Sequence, residues 1–386
     1  MIKRKDLEQK EKNDLKPYAC FSYNAKRVDS VKQHPIRTKF QRDRDRIIHS
    51  KSFRRMEYKT QVYLTQTGDH LRTRLTHSLE VSQIARTIAT QLGLNIDLVE
   101  AISLGHDVGH TPFGHVAERK LNKLLNEDNV GDFKHNIQSV RILNCLEKKY
   151  SYKGLRLTIP LLEGILKHTD KYANLPKFCE GLYLDKDFSV TLEGQVVAVA
   201  DEIAQITHDM DDFLRYKIVS LNDFLDHELF ENLQKYFIEK RNMNFTKKIE
   251  NCNKDLMKET VIKHLVDYLV SKLIEDAEEN LEDDIRAYEI DKEYIKLNKI
   301  EKLVNDFHKY INKKCFNDFR IKEMDRRGEK IVEVLYEYYK EYPKDTLPKS
   351  TYELYEENGI RTIADYISGM TDRYAIEEYD SLIELF

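Results

Sequence analysis

The sequence predicts an all-α protein. Only 7 prolines and 13 glycines occur in 386 residues, which favours long helices over a β architecture with many turns. Apolar residues recur at helical spacing along much of the chain. Hydrophobic residues make up 41% and charged residues 34%, values that are typical of a globular chain with a sizeable core rather than of a disordered one.

Composition also excludes several classes of protein. The formal net charge is −4, so there is no overall basic bias for nucleic acid, and single-stranded DNA binding would depend on the local basic stretch 42–59. The five cysteines form no CxxC pair, which favours reduced thiols and a cytoplasmic location. The N-terminus lacks the apolar stretch of a signal peptide, and no run of about 18 apolar residues predicts a membrane span.

Four regions follow one another along the chain. We predict an N-terminal arm over 1–37, a catalytic core over 38–215, a peripheral helical region over 216–350 and C-terminal helices over 351–386 that pack back on the core. Segment 63–70 reads as a loop turning at Gly68-Asp69, and segment 151–158 as a short turn or hairpin. Helices are predicted over 73–92, 97–106, 135–149, 161–169 and 191–214, and amphipathic surface helices over 261–277 and 300–316.

Two of these helices place histidine and aspartate where a metal could be bound. His77 lies on the first, and the adjacent pair His106 and Asp107 ends the second, with Asp97 as a candidate N-cap and with Gly105 and Gly109 permitting a bend. Asp201 lies far downstream, on the helix over 191–214. Two imidazoles and two carboxylates suit a divalent ion (Mn, Mg, Fe, Co, Ni or Zn) with open positions for water and substrate.

A second group of residues suggests acid–base chemistry. His115 and Glu118 lie three apart at the start of a new helix, so they share a face, and a carboxylate one turn from a histidine can orient it and raise its basicity. Arg54, Arg55, Lys59 and Gln61 directly precede the metal stretch and are candidates for contact with an anionic substrate, most simply phosphate. Metal, histidine and cations together favour hydrolysis of a phosphoryl compound.

These residues stand in segments that resemble the HD-domain deoxynucleoside triphosphate triphosphohydrolases, the deoxyguanosine triphosphatase-like family. The matching segments include FQRDRDRIIHSKSFRRMEYKTQV, GDHLRTRLTHSLEV, GHDVGHTPFGHVAE, HNIQSVRIL, GILKH and DYISGMTDRYA. The resemblance covers 39–212 and 365–375. It implies an HD-domain helical bundle with additional C-terminal helices, and hydrolysis of a dNTP, dGTP foremost, to deoxynucleoside and inorganic triphosphate.

The resemblance also implies roles for single residues. His77, His106, Asp107 and Asp201 match the metal ligands, and His115 matches the catalytic histidine, supported by Glu118 and His135 with His110 beside them. Substrate contacts carried over are Arg74 for phosphate, Gln61 and Asp209 for the sugar 3′-hydroxyl, and Lys167, His168, Tyr366 and Asp372. Where relatives commonly have tyrosine, four residues after the last metal ligand, this chain has Gln205, which can hydrogen-bond the substrate but cannot pack as a ring against ribose.

Other functions remain open on the residues alone. A different HD-superfamily phosphohydrolase (a nucleotidase, a phosphodiesterase or a guanosine tetraphosphate hydrolase) would use the same ligands, and a nucleotide sensor without activity would keep part of them. The family resemblance further implies a homo-oligomer, a tetramer or a hexamer, and raises the question of an activating second dNTP. The region 216–350 carries no motif that we could assign.

Overall fold

The computed structural model describes residues 1–29, 31–61, 72–168, 176–179, 181–182, 191–250, 252–282, 284–290 and 292–383. The predicted all-α fold is confirmed, because these residues form helices joined by turns and two isolated β-bridges. The helices are α1 (Arg4–Asp14), α2 (Lys39–Ile48), α3 (Lys51–Arg55), α4 (Arg74–Gln91), α5 (Ile96–Gly105), α6 (His115–Glu127), α7 (His135–Arg141), α8 (Ile159–Leu166), α9 (Leu192–Arg215), α10 (Leu221–Leu225), α11 (Glu228–Arg241), α12 (Phe245–Glu250), α13 (Lys254–Asn280), α14 (Glu301–Lys314), α15 (Phe319–Glu341), α16 (Pro343–Thr346), α17 (Lys349–Asn358), α18 (Arg361–Ser368) and α19 (Asp372–Ile383). The predicted loop over 63–70, with its turn at Gly68-Asp69, lies outside the described residues. Within the described part of the chain, no helix is long and apolar enough to cross a membrane.

The centre of the fold is a group of three helices, α4, α5 and α9, each packed against the other two. Helix α2 covers another face of α5, and α8 packs against both α5 and α9. Their shared core is aliphatic, with Ile84, Ile88, Leu98, Ile102, Val196 and Ile203 all buried. Removing this apolar surface from water is the main stabilising term and fixes the relative positions of the three helices.

Local signals set the ends of these helices. Thr73 caps α4 by accepting a hydrogen bond from the backbone N–H of Thr76, and the helix stops before Gly93, whose φ is 66°, as predicted. The predicted cap of α5 is wrong by two residues. Asn95, not Asp97, accepts the hydrogen bond from the Leu98 N–H. The Asp97 carboxylate lies instead in the first turn, where Arg44 pairs with it at 3.1 Å.

Helix α5 ends at Gly105, so His106 and Asp107 follow it as predicted. The two neighbouring glycines serve close packing rather than a left-handed bend, because neither has a positive φ. A Cβ on Gly109 would lie 2.2 Å from the backbone N of Ser139 and 2.4 Å from the carbonyl O of His135. A Cβ on Gly105 would lie 2.7 Å from Ile165 Cδ1. The glycines thus let the loop after α5 press against α7 and α8.

The helix predicted over 135–149 is only partly correct. Helix α7 ends at Arg141, a π-helical turn follows over Ile142–Leu146, and Glu147 is extended. The carbonyl of Leu143 accepts the Leu155 N–H at 2.7 Å, and the Glu147 carbonyl accepts the Gly154 N–H at 3.2 Å. These bonds from the turn over 151–158 occupy carbonyls that a continuing α-helix would need, so the tertiary contact ends the helix.

A second core joins the C-terminal helices to the segment that follows α5. It contains Phe113 and Leu121 from the loop and helix after the metal stretch, Tyr336 from α15, and Ile363 and Ile367 from α18. Helices α13 and α14 pack instead against α9 in the first core, through buried residues such as Leu269 and Phe307. The four regions predicted from sequence therefore share cores, and their boundaries stay a prediction.

One buried carboxyl group, that of Glu193, ties the N-terminal arm to α5 and α9. Its Oε1 accepts the backbone N–H of Cys20 at 2.8 Å and that of Asn95 at 3.1 Å. Its Oε2 is buried and has no hydrogen-bond partner among the described residues. Burial raises the pKa of Glu193 to about 7, although the two N–H donors act in the opposite direction. The arm itself contains α1, which its weak periodicity did not predict.

We expect Glu193→Gln to stabilise the protein more at pH 8 than at pH 5. Between pH 4.5 and about 7 the Glu193 carboxyl is protonated in the folded state but ionised in the unfolded chain. The contribution of Glu193 to the free energy of unfolding therefore falls as pH rises through that window. Glutamine keeps the acceptor oxygen without the charge. At 1.36 kcal/mol per pKa unit the gain at pH 8 is at most roughly 3 kcal/mol. Urea unfolding at both pH values measures it, with exposed Glu239→Gln as the control; an equal effect at both values would contradict the assignment.

Candidate active site

The four predicted metal ligands converge where α4, the end of α5 and α9 meet. His77 Nε2 lies 2.8 Å from Asp201 Oδ1. His106 Nε2 lies 3.4 Å from Asp107 Oδ1 and 3.6 Å from Asp201 Oδ1. Because His106 is the C-cap of α5, Asp107 leaves the helix and can face the same point as its neighbour. His77, His106 and Asp107 are buried, with ligand atoms close enough together to hold one metal ion.

The donor atoms of this cluster fit a divalent cation. The Nδ1 of His106 donates to the carbonyl of Ser103 at 2.6 Å, so the lone pair of a neutral ring lies on Nε2. That Nε2 is buried and has no hydrogen-bond partner among the described residues. Burial lowers the pKa of His106, but the carboxylates of Asp107 and Asp201 outweigh it and raise the pKa to about 9. The pocket thus favours a positive charge at this nitrogen, which a bound metal would provide.

Arg74 links the metal cluster to a place where an anion could bind. Its Nη1 donates to Asp107 Oδ2 at 2.9 Å, and the side chain is 1% exposed. Its Nε and Nη2 are buried without hydrogen-bond partners in the part of the chain that the structure describes. The Nη2 faces Gly114, lying 3.4 Å from where a Cβ on that residue would be. Two unsatisfied donors on a buried guanidinium are well suited to a phosphate oxygen.

Glu118 holds two histidines at the start of α6 and α7. Its Oε2 accepts from His115 Nδ1 at 2.9 Å, and its Oε1 accepts from His135 Nδ1 at 3.1 Å and from the His135 backbone N–H at 3.0 Å. Burial raises the pKa of Glu118, but the hydrogen bonds from His115 and His135 outweigh it and hold the pKa well below its usual value. The His115 side chain is 51% exposed, so its Nε2 can reach a substrate while Nδ1 stays fixed.

His168 contacts the second ring nitrogen of His135, the one that does not face Glu118. Its Nδ1 donates to the carbonyl of Ile165 at 2.7 Å, and its Nε2 lies 3.1 Å from His135 Nε2. Burial, followed by the nearby His135 and His106, lowers the pKa of His168 to about 3, so its ring is neutral and Nε2 is an acceptor. The His135 ring therefore lies between two hydrogen-bond acceptors, His168 Nε2 and the Glu118 carboxylate.

His110 lies between the metal cluster and the acid–base group. Its Nε2 is 3.2 Å from Asp107 Oδ1, and its ring stacks on His135 with centroids 3.9 Å apart. Burial, with Arg74 the next cause, keeps the pKa of His110 well below its usual range. A neutral ring that donates from Nε2 satisfies Asp107 and leaves Nδ1, which has no partner among the described residues, as an acceptor.

Two further predicted substrate residues are occupied by contacts within the protein. Lys59 is buried, and its Nζ donates to the carbonyls of His110 at 2.5 Å and of Ser368 at 2.6 Å. Burial lowers the pKa of Lys59 to about 7. Asp372 accepts from the Thr60 N–H at 3.0 Å, the Thr60 hydroxyl at 2.7 Å and the Phe113 N–H at 3.1 Å. Both residues connect the loop between α5 and α6 to the C-terminal helices.

Four other predicted substrate contacts pair within the protein, are exposed or line a separate cavity. Lys167 pairs with buried Glu163 at 2.7 Å. Arg54 and Arg55 are exposed, and Arg55 and Tyr366 line a cavity of about 510 Å³ together with residues of α17 and α19. The lining of this cavity includes none of the predicted metal or acid–base residues. The cavity therefore does not connect Arg55 and Tyr366 to the place beside Arg74 where an anion could bind.

Two of the predicted sugar contacts lie on α9. Gln205 is half-buried one turn after Asp201, and Asp209 is buried two turns after it. Burial, reinforced by Asp212, raises the pKa of Asp209 well above its usual range, so a protonated carboxyl could donate as well as accept. Gln61 is half-buried, and its Oε1 has no hydrogen-bond partner among the described residues.

One supporting residue was not predicted. The hydroxyl of Ser139 donates to the carbonyl of His106 at 2.6 Å and accepts the N–H of Gly109 at 2.9 Å. It therefore fixes the loop that carries Asp107. A serine in the middle of a helical pattern gives no signal of this role, which depends on α7 packing against the loop.

The match to known domain families defines the class of the protein. Residues 74–206 match the HD domain, and residues 297–381 match the phosphohydrolase-associated domain. With the all-α fold and the histidine–aspartate cluster, these matches make the chain an HD-domain phosphohydrolase. The second match gives residues 297–350 a family signature that the sequence analysis did not find.

Full-length relatives define the family more narrowly. The chain is 41% identical over 365 residues to a deoxyguanosinetriphosphate triphosphohydrolase-like protein of Pelagibacter ubique, covering 88% of this chain and 92% of the relative. Proteins of the same name from Rickettsia bellii and Leptospira interrogans are 37% and 36% identical and cover 90% and 98% of this chain, and 92% and 99% of their own lengths. The chain belongs to the deoxyguanosinetriphosphate triphosphohydrolase-like family.

Proposed function

We propose that the protein is a metal-dependent dNTP triphosphohydrolase that converts a deoxynucleoside triphosphate, dGTP foremost, to the deoxynucleoside and inorganic triphosphate. One observation carries the proposal: Asp107 contacts both Arg74 and His110, and the ring of His110 stacks on His135 beside the His115–Glu118 pair. Metal site, anion site and acid–base group are thus contiguous. The name of the relatives supports the same reaction.

Binding of the substrate follows from the unsatisfied donors. His77, His106, Asp107 and Asp201 would hold the metal, which supplies positive charge beside the phosphate when bound. The Nε and Nη2 of Arg74, which have no partner among the described residues, would donate to an α-phosphate oxygen. Gln61, Gln205 and Asp209 offer hydrogen bonds to the sugar, and a close fit at the 2′ position would exclude ribonucleotides. Glutamine at 205 keeps a hydrogen bond but gives no ring to pack on ribose.

His115 would carry the proton transfer. Water attacks the α-phosphorus, the bond from phosphorus to the 5′-oxygen breaks, and His115 Nε2 gives its proton to the departing oxygen. Glu118 keeps the Nδ1 proton in place and stabilises the charged ring. The attacking water loses one proton, which replaces the proton that His115 gave away, so one dNTP and one water yield one deoxynucleoside and one triphosphate.

Product analysis tests the reaction. The protein is incubated with each of the four dNTPs and with GTP, with Mn²⁺ and after treatment with EDTA. We expect deoxynucleoside and triphosphate in equal amounts from dGTP, none from GTP, and none without metal. Release of monophosphate from any dNTP would overturn the proposal in favour of another HD phosphohydrolase, and binding without turnover would favour a sensor. A His115→Gln preparation controls for contaminating phosphatases.

The family resemblance supports a homo-oligomer, a tetramer or a hexamer, and the cysteine pattern supports a cytoplasmic enzyme. Activation by a second dNTP is tested by the same assay, as a rise in dGTP turnover on addition of a different dNTP.

A further inference from the structure

Glu80 and His208 extend the metal site beyond its four ligands. His77 turns its Nε2 toward Asp201, at 2.8 Å, and its Nδ1 toward His208, with 3.0 Å between the two Nδ1 atoms. The Nε2 of His208 contacts the carboxylate of Glu80. The three side chains therefore form a line that ends at the metal-facing nitrogen of His77.

When His77 binds a cation, only one arrangement of protons gives every facing pair of atoms in this line one donor and one acceptor. A metal takes the lone pair of His77 Nε2, so Nδ1 carries the proton and donates it toward His208. The Nδ1 of His208 must then be the acceptor, which places the proton of that ring on Nε2. That proton points at Glu80, whose carboxylate accepts it. Each atom in the line thus has a partner of the opposite kind.

The surroundings hold this line in place. His208 is 3% exposed and meets the His77 ring edge-on, with centroids 5.1 Å apart. Arg72 lies 3.4 Å from the Glu80 carboxylate and 3.5 Å from that of Asp211. Glu80 is therefore anchored by a cation on its other side, and the line connects α4 to α9.

We propose that Glu80 and His208 are positioning residues that fix the ring orientation and tautomer of His77 and thereby strengthen metal binding. Neither residue is among the predicted substrate contacts. A metal-bound histidine that loses its outer hydrogen-bond partner typically binds metal 10- to 100-fold more weakly. The inference rests on the metal site of the proposed function but not on the identity of the substrate.

The test is Mn²⁺ binding to metal-free protein by titration calorimetry. His208→Leu should weaken Mn²⁺ binding by about 10- to 100-fold. His208→Asn, whose side-chain oxygen can accept the proton of His77 Nδ1, should recover part of that loss. Glu80→Gln should have an intermediate effect, because it keeps an oxygen but loses the charge. Gln83→Ala, exposed on the same helix, should bind as the wild type does.

The outcomes separate the alternatives. Mn²⁺ affinities unchanged in His208→Leu, with only a lower melting temperature, would show a purely structural role and overturn the proposal. If His208→Leu does not fold, unchanged affinities in both His208→Asn and Glu80→Gln overturn it. Wild-type protein that binds Mn²⁺ but releases no triphosphate would refute the proposed function alone. Wild-type protein that binds no Mn²⁺ would refute both.

Discussion

Asp107→Ala should bind no metal and have no measurable activity. Asp107 is a proposed metal ligand, and it also pairs with Arg74 at 2.9 Å and contacts His110 at 3.2 Å. Its removal leaves a guanidinium that is 1% exposed without its carboxylate. Loss of one partner from a buried ion pair costs about 3–5 kcal/mol, so the melting temperature should also fall. Elemental analysis of the purified variant and a thermal melt measure the two effects.

Asp201→Asn provides the comparison, because Asp201 has no arginine partner among the described contacts and its side chain is 21% exposed. We expect this variant to lose metal as well, but with a smaller change in melting temperature. Full metal occupancy in either variant would refute that residue as a ligand. Equal destabilisation of both would show that the Arg74 pair contributes little to stability.

The sequence was most informative where local spacing alone determines position. His115 and Glu118 lie three apart on one helix, and their hydrogen bond at 2.9 Å is what that spacing predicts. His106 and Asp107 required the helix to end at Gly105, and it does. Residues brought together by helical periodicity or by a helix end can therefore be grouped before the tertiary structure is known.

Contacts between distant segments were not predictable in the same way. The N–H of Leu155 donates to the carbonyl of Leu143, and this bond ends a helix whose pattern of apolar residues continues in the sequence. Lys59 looked like a free cation, but it donates to carbonyls from two other regions of the chain. A charge pattern shows that a side chain carries a charge, and only the packing of helices shows whether that charge is already satisfied.

The histidines of the candidate site show both what spacing within a helix can predict and what only the fold reveals. His168 was predicted to be a substrate contact because the family resemblance, which includes the segment GILKH, implied that role. In the structure its Nδ1 is fixed by the Ile165 carbonyl and its Nε2 faces His135. Glu80 lies three residues after His77, a spacing that could have indicated a shared face, but the intervening His208 comes from α9. The second hydrogen-bond partners of the histidines in the candidate site thus come from helices that only the fold brings near.

His115→Ala should keep the metal and the fold but lose at least about 10²-fold in turnover, the scale for removal of a general acid–base group. The side chain is half exposed and fills no core position, so its truncation should change stability little. Glu118 would keep its bonds to His135, which leaves the rest of the network in place. Steady-state turnover of dGTP with Mn²⁺, together with metal content, measures the effect.

The matched control is Lys123→Ala, an exposed residue two turns further along the same helix, which should keep full turnover. Near-normal turnover in His115→Ala would refute the acid–base role of His115. The hydrogen bonds of Glu118 to His115 and His135 would then have no catalytic explanation. A 10²-fold loss accompanied by loss of metal would instead mean that His115 supports the metal site. A 10²-fold loss of turnover with full metal occupancy would show that His115 acts in proton transfer and not in metal binding. Asp107 connects the residues proposed for these two functions through its contact with His110.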